Sequence, residues 1–256
     1  MLQNQLEGLR LYGFTVRENT SRGSGFIFET FIGVLEKCVL FKGITPSEIA
    51  QMLNCLSPRG ADYAKGGLVA QASGPMQEIG IVLDGAVAVT KETPLGERIV
   101  LNKIQPGGIF GEVAALSDLQ RSPATIFALE KSTVMFIRPS KILMPCSRTC
   151  RWHTLLTENL IHIVADRALY LNRKIDFLTI KSMRGKLCTY LFEQYRKSGK
   201  QRFTLPYNRN ELADFLNVSR PSMSRELGRM RDEGILAFRG DSFELLDVEK
   251  LKSFVQ

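Results

Sequence analysis

The chain has 256 residues, with 34 Lys and Arg against 26 Asp and Glu, which gives a formal net charge of +8. This length exceeds one typical domain, so we expect two. No apolar run approaches the ~20 residues that span a bilayer, and the N-terminus lacks a basic start followed by an apolar stretch. The five cysteines are odd in number and scattered, which is typical of a reducing compartment rather than a disulfide framework. We therefore expect a cytoplasmic protein with no membrane partner.

The first part of the chain is predicted to lead into a folded domain. Residues 1–25 carry only a weak pattern and are interpreted as a loosely ordered leader. Apolar residues then recur at helical spacing over residues 26–56, and Thr45-Pro-Ser-Glu48 has the form of a helix start. Two short helices are predicted here.

Short apolar strands separated by glycines fill residues 63–137. Asp84-Gly85 is a hairpin signal, and Gly96 and Gly107 mark further corners. Many short strands of this kind indicate a small antiparallel barrel or roll rather than a parallel sheet. Metal-dependent barrel enzymes share this texture but need histidine ligands on their strands, and residues 63–137 contain no histidine. We therefore predict that the protein is not an enzyme and holds no metal. The predicted strands are 68–70, 79–83, 87–89, 99–101, 124–129 and 133–137.

One segment of the predicted roll has residues suited to ligand binding. Gly111 precedes a short helix, and Glu112 and Arg121 flank it. Backbone N–H groups at such a helix start attract small anions. Residues 26–145 are therefore predicted to form an effector-sensing domain.

A long helix is predicted from Trp152 to Leu178, within the segment 146–180. Its apolar residues recur at steps of four and three, which favours pairing with a second helix, although burial against the chain's own roll is the alternative. The seam consists of Leu156, Leu160, Val164, Ala168, Leu171, Ile175 and Leu178.

Two cysteines and a histidine lie close together just before this helix. Cys146, Cys150 and His153 have the composition of a redox pair or part of a metal site, but no full ligand set is evident. Two small half-buried thiols and a histidine at a helix start are the alternative.

Residues 181–256 hold most of the excess positive charge. Residues 181–231 contain 12 basic and 4 acidic side chains, a local +8 that equals the charge of the whole chain. Such a concentration attracts polyanions through phosphate neutralisation.

Two short helices joined by a tight turn are predicted inside this basic segment. Asn208 and Glu211 form a capping-box start, and Asn217 tolerates the left-handed backbone that a short turn needs. Ser219 then caps a second helix whose apolar residues Met223, Leu227 and Met230 form one buried stripe. Serine and arginine side chains are left on the outward faces, which suits a helix that enters the DNA major groove.

A strand, an Arg239-Gly-Asp-Ser242 turn and a second strand follow over residues 234–246. This hairpin is interpreted as a wing, with Arg239 at its tip beside a neighbouring phosphate.

The roll, the Gly-Glu segment and the helix-turn-helix together resemble the Crp/Fnr family of bacterial transcription regulators. The segment Glu211-Leu-Ala-Asp-Phe-Leu-Asn-Val-Ser-Arg-Pro-Ser-Met-Ser-Arg-Glu-Leu227 carries the most specific part of the resemblance. The resemblance implies an α+β fold with an N-terminal antiparallel β-roll of jelly-roll type, a long dimerisation helix and a C-terminal winged helix-turn-helix over residues 181–256.

The family's effector residues map only in part onto this chain. In members that bind cyclic nucleotides, the Glu of Gly-Glu takes the ribose hydroxyl and an Arg-Ser-Ala run clamps the cyclic phosphate. Gly111 and Glu112 match, but the later run here is Arg121-Ser-Pro-Ala124, and counting back from Ala124 puts Ser122 in the arginine position. An effector other than a cyclic nucleotide is therefore favoured, although a cyclic nucleotide is retained as an alternative. The implied effector site comprises Gly111, Glu112, Arg121, Ser122 and, on the long helix, Asn172. The cysteines that bind an iron-sulfur cluster in another branch are missing before Cys38, so no cluster is expected.

The resemblance also implies DNA contacts and partners. Arg220 and Arg225 are the expected guanine readers, and Ser219 and Ser222 are expected on phosphate or base edges. Pro221 replaces a Glu that accepts a bond from cytosine in many members, so the operator should differ from the commonest half-sites. The implied function is an effector-responsive transcription regulator, either an activator or a repressor, that binds as a homodimer to an inverted repeat in double-stranded DNA, with RNA polymerase as a further partner. Two alternatives are a nucleotide or metabolite sensor acting through protein partners and a thiol-based redox regulator.

Overall fold

A computed structural model describes residues 28–92, 98–144 and 151–255. It divides into two compact units, Met1–Ala165 and Asp166–Gln256, and the division falls within one long helix. The predicted leader and the pair Cys146 and Cys150 lie outside the described residues.

The first unit is built on two four-stranded antiparallel sheets. One sheet has the order β1 (Arg59–Tyr63), β8 (Ser132–Ile137), β3 (Ile79–Asp84) and β6 (Ile109–Phe110). The other has the order β2 (Leu68–Ala70), β7 (Thr125–Ala128), β4 (Val87–Glu92) and β5 (Arg98–Ile104). Every pairing between these strands is antiparallel, which confirms the predicted roll.

Short helices cover the first sheet. They are α1 (Ile32–Leu35), α2 (Pro46–Leu56), α3 (Glu112–Leu116) and α4 (Pro139–Leu143), and 3₁₀ turns occupy Phe28–Phe31 and Val39–Phe41. The predicted start of α2 is confirmed as a capping box, because the Thr45 N–H donates to Glu48 Oε2 at 2.9 Å and the Glu48 N–H donates to Thr45 Oγ1 at 3.4 Å.

Strand β3 separates two apolar cores. Ile79, Ile81 and Leu83 face the helices, whereas Val82 joins the core between the two sheets. Gly80 also lies on this inner side, and a Cβ at Gly80 would lie 2.2 Å from the Phe110 ring. Glycine is therefore needed here because the aromatic ring takes the space of a side chain.

The predicted long helix is confirmed as α5 (Arg151–Thr179), but its apolar seam is shorter than predicted. Leu156 and Leu160 are buried in the core of the first unit, so they belong to the chain's own packing. Farther along, Leu171, Ile175 and Leu178 are 56%, 56% and 49% exposed. The interpretation of burial against the roll therefore holds for the N-terminal part of the seam only.

The second unit contains the C-terminal part of α5 and a winged helix-turn-helix. Its further elements are α6 (Met183–Ser198), β9 (Arg202–Thr204), α7 (Arg209–Leu216), α8 (Arg220–Asp232), β10 (Leu236–Arg239), β11 (Ser242–Leu245) and α9 (Val248–Lys252). The three strands form an antiparallel sheet in the order β10, β11, β9. Phe177 of α5 is 1% exposed and packs on Phe215 of α7, with ring centroids 5.2 Å apart. The end of the long helix is therefore part of the core of this unit.

Within the described ranges, none of the helices has the length and apolar character needed to cross a membrane.

Candidate nucleic-acid interface and effector site

Helix α7 is fixed at both ends. The Asn208 side-chain oxygen accepts from the N–H groups of Asn210 and Glu211 at 2.9 and 3.0 Å, and the Asn208 N–H donates to Glu211 Oε2 at 2.9 Å. At the other end, Asn217 has a φ of 51°, as the turn chemistry predicts. The buried Lys186 of α6 donates from Nζ to the carbonyl of Leu216 at 3.0 Å, where the helix leaves its last carbonyls without internal partners.

Helix α8 buries one face and exposes the other. Ser219 is its N-cap and accepts from the Ser222 N–H at 3.4 Å. Met223, Leu227 and Met230 are at most 1% exposed, which confirms the predicted stripe. The serine and arginine side chains therefore point to the surface.

The exposed N-terminal turn of α8 carries an ordered arginine. The Ser219 hydroxyl donates to Ser222 Oγ at 2.8 Å, and Arg225 Nη2 donates to the same oxygen at 3.0 Å. Arg220 is exposed and has no hydrogen-bond or ionic partner among the described residues. Two guanidinium groups free of carboxylates therefore stand at this end of the helix.

The acidic residue in the middle of α8, Glu226, faces inward. Glu226 accepts from Arg184 Nε at 2.6 Å and lies 3.3 Å from Arg229 Nη1, and Arg184 also binds Glu233 at 2.7 Å. Arg184 also holds the pKa of the Glu233 carboxyl below its usual value, mainly through these hydrogen bonds. Glu226 is thus neutralised from the α6 side and does not oppose a polyanion at the N-terminal turn.

The predicted wing is present. Arg239 ends β10 opposite Ser242 of β11, and Gly240 takes a φ of 59° at the turn between them. Arg239 is exposed and has no partner among the described residues. Arg239 is therefore exposed at the hairpin tip, in the same compact unit as the predicted DNA-binding residues Ser219, Arg220, Ser222 and Arg225.

The Gly-Glu segment follows β6 at the corner of the roll. Gly111 has a φ of 77° and begins α3, and a Cβ on it would lie 2.0 Å from the Met76 side chain. Glu112 is only 4% exposed. The backbone conformation and the close contact with Met76 both require glycine at this corner.

The later run of the predicted effector site is engaged with the protein itself. Arg121 Nη1 donates to the Ser73 carbonyl at 2.6 Å, and Arg121 forms an antiparallel bridge with Pro75. Ser122 is 4% exposed, and its hydroxyl donates to the Ala124 carbonyl at 2.6 Å. Arg121 is therefore exposed and bound to the protein's own backbone, whereas the Ser122 hydroxyl is buried and bonded within its own segment.

Two family models match this chain, one over the β-roll and one over the winged helix-turn-helix. The model of the cyclic nucleotide-binding domain matches residues 61–148, and that of the Crp-like helix-turn-helix domain matches residues 185–254. The chain belongs to the Crp/Fnr family.

Curated relatives of this Crp/Fnr protein are distant but match along most of their length. The CRP-like cAMP-activated global transcriptional regulator of Mycobacterium tuberculosis is 23% identical over 223 residues, covering 85% of this chain and 96% of the relative. The cyclic AMP receptor protein of Thermus thermophilus is 22% identical over 213 residues, covering 83% and 94%. A solved CooA variant from Carboxydothermus hydrogenoformans shares the fold, with 20% identity, a TM-score of 0.51 and coverage of 80% and 94%.

The predicted effector residues are divided between the two units of the chain. Gly111, Glu112, Arg121 and Ser122 lie in the first unit, whereas Asn172 is exposed on α5 in the second unit. Four of the five predicted residues therefore lie in the first unit of this Crp/Fnr protein.

Two of the three cysteines in the described part of this Crp/Fnr regulator are buried, and the third, Cys55, is half-buried. Cys38 and Cys188 are buried, and burial raises the pKa of both thiols from 9.0 to about 11. His153 is 7% exposed, and its Nδ1 has no hydrogen-bond partner among the described residues. No cluster of three or more metal-binding side chains occurs in the described ranges.

Sequence reasoning missed the residues that brace the Crp/Fnr DNA-binding unit. Lys186 holds the end of α7, Arg184 holds α8, and Arg209 contacts the wing. The position of Lys186 next to the apolar stripe of α6 was a signal that this lysine is buried. The partners of all three residues are distant in sequence, so the sequence did not show the contacts. The charge excess of this region thus includes arginines and lysines that support the fold.

Proposed function

We propose that this protein is a homodimeric transcription regulator that binds an inverted-repeat operator and responds to a small molecule in its roll. The observation that carries the proposal is the N-terminal turn of α8, where Arg220 and Arg225 have no carboxylate partner and Glu226 is turned toward Arg184. Arg220 and Arg225 would read guanine in the major groove, Ser219 and Ser222 would contact phosphate or base edges, and Arg239 would contact phosphate from the wing.

The apolar surface of α5 supports pairing of two copies. Leu171, Ile175 and Leu178 are about half exposed on one helix, and burying such side chains against a twin helix is favourable. A two-fold axis along this helix would place two α8 helices in successive major grooves about 34 Å apart. RNA polymerase would be the further partner of the DNA-bound dimer.

The effector proposal rests on the corner at Gly111 and Glu112, together with Arg121, Ser122 and Asn172. The matched cyclic nucleotide-binding domain supports a small-molecule ligand in this roll. Counting back from Ala124 in the sequence aligns Ser122 with the family's arginine, and Arg121 is bound to the Ser73 carbonyl, so we favour a polar or anionic metabolite other than a cyclic nucleotide. Its binding would change how the paired α5 helices meet and so the orientation of the two α8 helices.

Selection of bound sequences from random duplex DNA tests the DNA-binding proposal. We expect an inverted repeat, and Arg225→Ala should weaken binding to it by about 1–3 kcal/mol and relax the choice of one base pair per half-site. Arg229→Ala is the matched control, since Arg229 is occupied by Glu226 on the same helix. An equal loss on all sequences for Arg225→Ala would refute base readout.

Sedimentation and calorimetry test the remaining parts. Ile175→Glu should convert a dimer to a monomer, and a wild-type monomer at micromolar concentration would refute the pairing. A panel of cyclic nucleotides and polar metabolites should contain a ligand that raises the melting temperature of wild-type protein but not of Glu112→Gln. Absence of any stabilising ligand across the panel would count against an effector site in the roll.

A further inference from the structure

Arg209, the first residue of α7, reaches across to the wing. Its guanidinium carbon lies 4.7 Å from the ring centroid of Phe238 and 4.6 Å from that of Phe243. Phe238 of β10 and Phe243 of β11 are cross-strand partners, with stacked rings 5.5 Å apart. The guanidinium therefore contacts both strands of the hairpin through its aromatic pair.

The same side chain also holds the hairpin tip. Arg209 Nη2 donates to the carbonyl of Gly240 at 3.0 Å. Gly240 directly follows Arg239 and has the left-handed φ that forms the turn. One residue of the first helix in the helix-turn-helix is thus bonded to the backbone beside the predicted phosphate-binding arginine.

Arg209 is poorly placed to bind a phosphate itself. Its Nη1 is buried and has no hydrogen-bond partner among the described residues, and its Nη2 is occupied by Gly240. Burial also lowers the pKa of this guanidinium, although the nearby Asp241 acts in the opposite direction. Arg209 is half-buried, and leaving its buried Nη1 donor unpaired costs free energy, which its contacts with the two rings and with Gly240 offset.

Arg239, in contrast, depends on the backbone for its position. Its side chain has no partner among the described residues, so only the backbone of the hairpin determines the point from which the side chain extends. Helix α7 is joined to α8 by a turn at Asn217 that is fixed by its left-handed conformation and by the Lys186 bond. The contacts of Arg209 therefore connect the tip of the wing to α7, and through the turn at Asn217 to α8.

We propose that Arg209 is a positioning residue that aims Arg239 at the DNA backbone without contacting DNA. This inference rests on the proposed contact between Arg239 and phosphate. It predicts that Arg209 and Arg239 are energetically coupled in DNA binding, and that the positive charge of Arg209 is not sufficient for its role.

A double-mutant cycle on binding to poly(dI-dC) tests the coupling, with the full chain and a series of salt concentrations. Arg239→Ala should lower the slope of log K against log salt by about 0.9, the value for one phosphate contact. Arg209→Lys keeps the charge but loses the planar fork, so we expect a loss of affinity and slope close to that of Arg239→Ala. The double variant should bind no more weakly than Arg239→Ala alone.

Arg202→Lys is the matched control. Arg202 is an exposed arginine of the same sheet that pairs with Glu244, so its replacement should leave binding unchanged. If Arg209→Lys does not fold, Phe238→Leu tests the same proposal. This variant removes one of the two rings that contact Arg209 but keeps Arg209 itself. We expect it to lose part of the DNA affinity that Arg209→Lys would lose. Thermal unfolding of each variant identifies any that is not folded.

Several results would overturn the inference. Additive losses in the double variant, with a further drop in slope, would mean that Arg209 contacts phosphate itself. Wild-type binding by Arg209→Lys, or an equal loss in Arg202→Lys, would remove its special role. If Arg239→Ala binds DNA like wild type, Arg239 makes no phosphate contact, and the proposed positioning role of Arg209 is wrong. The DNA-binding function is judged separately, from the binding of wild-type protein and of Arg225→Ala.

Discussion

Replacing Lys186 with methionine tests whether a buried ammonium group holds the helix-turn-helix in shape. Lys186 is 8% exposed, and its Nζ lies 3.0 Å from the carbonyl of Leu216, the last residue of α7. Methionine refills most of the space of the lysine stem, so the change isolates the bond between the ammonium group and the carbonyl. A hydrogen bond from a charged donor contributes about 1.5–3 kcal/mol, and a buried acceptor without a partner costs about 1–3 kcal/mol. Release of the buried charge offsets part of this loss, so we expect Lys186→Met to lower the free energy of unfolding by about 1–2 kcal/mol.

Thermal and urea unfolding followed by circular dichroism measure this change. For a unit of this size, the melting temperature should fall by about 5–15 °C while the urea m-value stays the same. Lys181→Met is the control, because Lys181 is an exposed lysine just before the same helix and should change stability by less than about 0.5 kcal/mol. Equal or greater stability of Lys186→Met would refute the reasoning, since it would show that burying the ammonium group costs more than its bond contributes.

Three further predictions concern buried groups. Tyr190 is fully buried and its hydroxyl has no hydrogen-bond partner among the described residues, so Tyr190→Phe should leave the free energy of unfolding unchanged or raise it by up to about 1 kcal/mol in urea titrations. The raised pKa of the Cys38 and Cys188 thiols, about 11 against 9.0, means that the unfolded thiols ionise first. Stability should therefore be complete below about pH 9 and fall as pH rises toward 11, and iodoacetamide at about pH 8 should label both only after unfolding. Gly80→Ala should cost about 1–3 kcal/mol because the new methyl group meets the Phe110 ring, and Phe110→Leu in the same chain should recover part of the loss in thermal unfolding.

Local chemistry made much of the fold predictable. The caps at Thr45, Asn208 and Ser219 and the turn at Asn217 each depend on residues within a few positions, and all four are present. Strands β1 and β6 were missed for a different reason. The sequence Arg59–Tyr63 has little apolar alternation and Ile109–Phe110 is only two residues long, so both are strands only because partners pair with them.

The sequence predicted which residues lie at the candidate site better than it predicted the contacts that they make. The sequence indicated which arginines lie on the outer face of α8, because the apolar stripe defines that face. It did not reveal that Glu226 would be taken up by Arg184, 42 residues away, or that Arg121 would bind the Ser73 carbonyl, 48 residues away. Such pairings depend on the tertiary fold, and they decide which charges are available to a ligand.

The packing of Phe177 on Phe215 determines where this chain can be cut. A chimera that joins a foreign sensor at residue 181 would leave Phe177 behind and expose the aromatic face of α7 to solvent. A junction near Ala165 would keep the last turns of α5 with the helix-turn-helix, so Phe177 would still cover the aromatic face of α7. The exchangeable module therefore begins in the middle of the long helix.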